Sequence, residues 1–457
     1  VRGYVVAVDI KTGKEVWRTY TIPAPGEPGS ETWPKGDFWK NGGGPVWVTG
    51  NYDVATNTAY FGTGNGGPWM GDQRPGDNLY TASTIAIDVA TGKIKGHHQY
   101  HPNDSWDWDE VSPPILVDYQ RNGRTVKGLI DVARDGYMWF LDRGTGSEIK
   151  FVEGKPFVYQ NVFKSVDPKT GRPTYDMSKR LMVGKTTTFC PSHWGGKDWP
   201  PAAYNPKTNL LYIPAHENLC VTLAGEAKIA PYEPGKRYVG TDASKTRLFP
   251  REGAKYIGEV QAWDMNTGKK VWSYPYPDMD INWGPVLTTA GGLVFSAGSQ
   301  DRKFRALDAR SGKLLWEYVT NSGITAMPSS YMVDGVQYIA VQSGWGVDAQ
   351  KMTARLNTSI SKPRSLSPMP TPSTPTAICW AKVFHLAVLL AGRLTPFAPA
   401  KVRYRLIASS RPAITATGTI QKVSLLTRKN IAPSTSTLSA SGSRNAPRLV
   451  APCRRAR

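Results

Sequence analysis

From Thr353 to Arg457 the chain contains no aspartate or glutamate, yet it holds 17 lysines and arginines. The formal net charge of +20 belongs almost wholly to that stretch. Residues 1–352 carry 39 basic residues and all 36 acidic ones, a net of +3, so the overall charge says little about partners of the main body. No apolar run reaches membrane-spanning length, and no charged-then-apolar leader opens the chain, which begins at Val1 rather than methionine. A mature, processed or partial form is expected. Helical periodicity is scarce. Cysteine is scarcer still: of four, Cys379 and Cys453 lie in the acid-free stretch. Cys190 and Cys220, 30 residues apart, suit either a disulfide between neighbouring strands in an oxidising compartment or two buried thiols.

What is abundant is turn chemistry and indole: Gly 45, Pro 36 and Trp 16. Short runs rich in Val, Ile, Tyr and Trp, separated by D-x-x-T-G turns, read as an all-β chain. One pattern, A-x-D-x-x-T-G-K-x-x-W, runs from Ala7 to Trp17 and returns at Ala262–Trp272 and Ala306–Trp316. Ala86–Gly96 is a weaker copy with glycine in place of the last tryptophan, and Phe140–Lys150 keeps Asp142, Thr145 and Gly146. The unit predicted is strand, tight turn, strand: Asp caps the turn, Gly takes positive φ, and Trp packs on a neighbouring unit. A second kind of hairpin, Tyr52–Tyr60 and Tyr204–Tyr212, lies between copies. Repeated hairpins at such spacing predict a propeller of four-stranded blades.

The pattern, the turns and the acids stop together near Gln350, so residues 1–350 form the body and 351–457 a basic, low-complexity tail. Three readings of the tail compete: a disordered arm for nucleic acid or an anionic surface, a targeting segment, or a shifted reading frame. The abrupt loss of acids favours the last. With only Trp380, Phe384, Phe397 and Tyr404 among the tail's cations, no nucleic acid is expected as a partner.

The stretch richest in chemistry is Asp104–Glu110, D-S-W-D-W-D-E. In an extended segment, residues two apart share a face. Asp107 and Asp109 then face one way, Trp106 and Trp108 the other. Two acids aimed at one point repel unless a cation lies between them or one keeps its proton. The stretch reads as a hard-metal site, an acid/base site or a charged loop.

With the repeat established, the chain resembles the pyrroloquinoline-quinone-dependent alcohol dehydrogenases, a group that includes methanol dehydrogenase. The resemblance covers residues 1–350 and rests on the tryptophan-docking repeat together with Gly42–Trp47 (GGGPVW), Gly62–Asn65 (GTGN), Asp72–Asn78 (DQRPGDN) and Ala133–Gly136 (ARDG). It implies an eight-bladed β-propeller, of which about half is present, acting in the periplasm. It implies pyrroloquinoline quinone and a lanthanide or calcium ion as cofactors, a small alcohol as substrate and a cytochrome c as electron acceptor, and it admits a homodimer. Trp47 matches the indole on which the quinone ring lies, and Trp283 resembles a quinone contact. Asn65, 18 residues after Trp47, matches a metal-binding amide. Asp107 matches the catalytic base and metal neighbour. Asp109 matches the extra carboxylate of the lanthanide-dependent branch, since a trivalent ion needs more negative charge around it. Arg134 matches the cation beside the quinone oxygens. Cys190 and Cys220 match a structural disulfide, and Trp345 a wall of the substrate cavity.

Two departures stand out. The family's metal-binding glutamate and the adjacent cysteine pair over the quinone fall upstream of Val1. Asp198 stands where the family usually has asparagine, an anion where the reduced quinone is electron-rich. The resemblance implies that Asp107 takes the alcohol proton while hydride passes to quinone C5, polarised by the metal. Weak cofactor binding and little turnover are expected of this chain. A non-catalytic propeller scaffold and a nucleic-acid binder acting through the tail are the alternatives.

Overall fold

Each copy of the repeat folds as two antiparallel strands around a turn held by its aspartate. Asp9 accepts from Lys11 N (3.0 Å), Thr12 N (2.7 Å) and Thr12 Oγ1 (2.9 Å). Asp88 and Asp308 do the same for Thr91 and Ser311. Every copy carries a β-bulge at the same step: Ala7/Val8, Ala86/Ile87, Phe140/Leu141, Ala262/Trp263 and Ala306/Leu307. The tryptophan reaches the next copy's turn. Trp17 donates to Val89 O (2.9 Å) and Trp272 to Ala309 O (3.1 Å). The turn glycines Gly92 and Gly312 lie against those indoles, where a Cβ would stand 2.6 Å and 2.5 Å from ring carbons.

This computed structural model describes residues 2–344 except Thr145 and Ser147, and the backbone of three later strands, Ala387–Gly392, Val402–Ile407 and Ser424–Leu425. Trp345 and the rest of 345–457 lie outside the described residues. The body contains four antiparallel four-stranded sheets, each with its strands in sequence order. The first joins Asn51–Asp53, Thr58–Gly62, Ser83–Asp88 and Ile94–Gln99. The second joins Ile115–Leu116, Gly128–Val132, Tyr137–Asp142 and Lys150–Pro156. The third joins Ala203–Asn205, Leu210–His216, Gly258–Asp264 and Lys269–Pro275. The fourth joins Leu287–Thr288, Leu293–Ser296, Lys303–Asp308 and Leu314–Val319. The two predicted kinds of hairpin are the two halves of one sheet: Tyr52–Tyr60 supplies strands one and two, and the D-x-x-T-G copy supplies three and four.

A separate three-stranded sheet, Thr186–Phe189, Leu219–Ala224 and Arg247–Pro250, pairs Phe189 with Val221 and carries the disulfide Cys190–Cys220. Between the sheets lies an aromatic core of Trp106, Trp108, Trp139, Phe163, Phe189, Trp194 and Trp283. Among the described residues no helix is long and apolar enough to cross a membrane.

Candidate active site

Asp104–Glu110 is a bend, not the extended segment expected from its spacing. Asp104 is fully buried, and its carboxylate accepts from Trp106 N (3.3 Å), Asp107 N (3.2 Å) and Trp108 N (3.3 Å). Gathering three amides around one side chain turns the backbone, and Asp107 takes a left-handed conformation with φ 63°. The tryptophans still share a side. Trp106 and Trp108 stack with centroids 5.1 Å apart, both fully buried, and donate to Lys179 O and Ser192 O. The bend is held from beneath by cations. The Arg74 guanidinium, itself fully buried, donates to the Asp104 carbonyl, to Asn78 Oδ1 and to Pro68 O. Burial brings Arg74 down to about 10. His101 lies 3.5 Å from both Asp104 and Asp135.

Asp109 faces the G-T-G-N turn. Its Oδ1 accepts the Asn65 N–H at 2.6 Å, and its Oδ2 lies 3.6 Å from the Arg134 guanidinium. Asn65 is outside the left-handed region, so it is not there merely as a turn former. The turn lies against the Gly42–Trp47 segment, joined by Gly44 N to Asn65 O (2.9 Å) and Gly64 N to Pro45 O (2.8 Å). Trp47 is 46% exposed, unusual for an indole. Burial, then the neighbouring Asp109 carboxylate, pushes the Asp107 carboxyl well above its ordinary range.

Arg134 is the hub. It donates to Asp107 O (3.2 Å), His193 O (3.3 Å) and Asp198 Oδ1 (2.6 Å), and its backbone N–H donates to Glu110 (2.9 Å). The predicted anion at Asp198 is therefore paired with a cation and also caps Trp199 N (2.6 Å). Gly195 makes the approach feasible: at φ +77°, a Cβ there would stand 2.5 Å from Arg134 Cβ. Trp283 is buried rather than open, stacked 5.7 Å from His216 and edge-on to Trp194. It joins the site through His216, whose Nε2 meets Asn282 O (3.0 Å) and whose backbone N–H donates to Gly196 O (2.7 Å).

Asn65, Asp107 and Asp109 bear oxygens of the kind a hard cation takes. Asp109 and Asp198 already pair with the Arg134 guanidinium, while burial and then Asp109 raise the Asp107 carboxyl. Among the described residues no three His, Cys, Asp or Glu side chains are grouped so as to hold a metal ion by themselves.

A match to the family described as "PQQ: Glucose/ethanol/alcohol dehydrogenase, beta-propeller domain" spans residues 1–181 and 172–339. The chain belongs to this family. Within it, the chain is 38% identical over 365 residues to the quinohemoprotein alcohol dehydrogenase of Comamonas testosteroni, covering 76% of this chain and 50% of that one. It is 38% identical over 368 residues to the lanthanide-dependent methanol dehydrogenase of Methylacidiphilum fumariolicum, covering 76% and 58%. A solved structure of a europium-containing methanol dehydrogenase superposes with TM-score 0.70 at 35% identity, covering 77% and 64%. The chain spans about half the length of the curated relatives it matches. The family description supports the quinone-dependent alcohol dehydrogenase resemblance and the all-β propeller fold. Sequence reading singled out Asp104–Glu110 and Asp72–Asn78 as stretches but gave no individual role to Asp104, Arg74, His101, Glu110 or Lys197. The D-x-x-D spacing of Asp104 and Asp107 was the available signal for the bend.

Proposed function

We propose that this site binds pyrroloquinoline quinone beside a hard cation, a lanthanide ahead of calcium, and serves the oxidation of small primary alcohols to aldehydes. The observation that carries the reading is that Arg134 gathers the Asp107 carbonyl and the Asp109 and Asp198 carboxylates, with Asp109 also holding the Asn65 N–H. Bound there, the quinone supplies a hydride acceptor and the cation Lewis acidity. Asp107 takes the alcohol's hydroxyl proton; burial and then Asp109 raise its affinity for a proton. Asp109 ties the Asn65 turn to Arg134 and adds the charge that favours a trivalent ion. Arg134 presents a planar cation for oxygens that gain charge, with Asp198 fixing its orientation. Trp47 offers an indole face, and the stacked Trp106–Trp108 pair excludes water behind the bend. On this reading the body, residues 1–350, is part of an eight-bladed propeller in a periplasmic enzyme that passes electrons to a cytochrome c.

Terbium(III) titration, read by tryptophan-sensitised luminescence, tests the cation site. Saturable binding is expected, and Asp109→Ala should weaken it at least about tenfold. Quinone addition should quench tryptophan fluorescence. With quinone and lanthanum supplied, any dye-linked ethanol oxidation should fall on the order of 10²–10⁴-fold in Asp107→Asn. A wild-type chain that binds neither terbium nor quinone would overturn the reading.

A further inference from the structure

Lys197 is 1% exposed, yet neither of its short bonds reaches a carboxylate. Its Nζ donates to Ser112 Oγ (2.8 Å) and to the Asp198 carbonyl (2.8 Å). Ser112 Oγ in turn donates to Val132 O (3.3 Å). One ammonium thus joins three segments distant in sequence: the exit of the Asp104–Glu110 bend, the end of strand Gly128–Val132 that leads into Arg134, and the turn that presents Asp198. Around it stand Glu110 Oε1 and Asp131 Oδ1, both buried and without a hydrogen-bond partner, so its charge offsets carboxylates that it does not touch. Burial lowers Lys197 itself to about 8.

We propose that Lys197 is a positioning residue for Arg134: by clamping Asp198 O and, through Ser112, Val132 O, it fixes the Arg134–Asp198 pair and so where the guanidinium points. The inference rests on the quinone-site reading above. A lysine suits the task because its ammonium bonds two neutral oxygens at once and still carries charge toward Glu110 and Asp131. The Asp107–Asp109 side of the site has supports besides Arg134, in the Asp104 carboxylate and Asn65 N. Removing Lys197 should therefore disturb one half of the site and spare the other.

The test is Lys197→Met in the whole chain, with two probes and a structure. Quinone affinity, by tryptophan quenching, is expected to fall roughly 10–100-fold, the loss typical when a supporting hydrogen bond behind a ligand-binding group is removed. Terbium affinity should change less than about threefold, since its ligands have their own supports. A crystal structure should show the Arg134–Asp198 contact, 2.6 Å here, broken or rotated. Equal losses for both probes, or an unchanged Arg134–Asp198 contact, would overturn the assignment. If Lys197→Met does not fold, Ser112→Ala removes only one of the two bonds and should give the same split at smaller size; no split overturns the assignment. If the wild-type chain binds no quinone, the reading of the site fails, and the variant's crystal structure alone decides the positioning role.

Discussion

The molecule uses one device in two settings. At the rim, Asp9, Asp88, Asp167 and Asp308 each gather nearby N–H and hydroxyl groups and build a tight turn in water. Those bonds hold the Asp9, Asp88 and Asp167 carboxyls below their ordinary range. At the centre, Asp104 gathers three amides in the same manner, but it is fully buried, and burial raises its carboxyl despite His101 and Arg74. In water the charge is solvated and the turn costs little. In the interior the same bend needs counter-cations from elsewhere in the chain, and those cations are what make it a site.

The largest test of this contrast removes a central cation. Arg74→Met leaves three buried carbonyl or amide acceptors without their donor and takes a cation away from the Asp104 carboxylate, and should lower unfolding free energy by about 3–5 kcal/mol in urea titrations. A loss as small as a rim substitution would erase the distinction. Next, Trp272→Ala removes a buried docking indole and should cost about 3 kcal/mol; Trp17→Ala, at a half-buried copy, should cost less in the same assay.

A pH series sharpens the comparison by sign. Asp131, in the central cluster, is raised by burial to about 6 from an unfolded value near 3.8. Its contribution is therefore fully present below 3.8 and is lost as pH rises through 6. Asp131→Asn should gain on the wild type by about 2 kcal/mol between pH 4 and pH 7.5, read from urea midpoints. The rim aspartates run the other way: their stability is present above 3.8 and lost only in stronger acid. A variant curve parallel to the wild type's would refute the central assignment. The smallest effect belongs to rim hydroxyls: Thr91→Val and Ser311→Ala should each shift unfolding by about 0.5 kcal/mol or less.

The same contrast explains what could be read from residues alone. Rim hairpins were legible because aspartate, turn glycine and docking tryptophan sit within 11 residues and recur, as in Ala262–Trp272 and Ala306–Trp316. Four-stranded sheets followed from the alternation of two hairpin kinds. The family resemblance proposes Asn65, Asp107, Asp109 and Arg134 as site residues, and in the structure they are linked through Asp109 and Arg134. The local geometry was not. Spacing of two made Asp107 and Asp109 a strand face, because nothing in D-S-W-D-W-D-E distinguishes a strand from a bend whose first aspartate captures the next amides. Arg74, 30 residues from Asp104, and Lys197, 85 residues from Ser112, carry no local signature, since their partners are chosen by packing. Trp283, which the resemblance places against the cofactor, is buried and packs on His216 and Trp194.

The close pass of Gly195 over Arg134 sets a limit on how this protein can diverge. No side chain at position 195 leaves room for the arginine, and no residue but glycine adopts its backbone angle cheaply. Drift can recolour the rim turns one codon at a time, whereas a side chain at 195 presses on the Cβ, Cα and carbonyl oxygen of residue 134, a clash that no exchange of the arginine's outer side chain relieves. A saturation library scored only for folded protein should therefore show position 195 occupied by glycine almost alone, beside rim positions such as Lys11 and Lys313 that accept nearly anything.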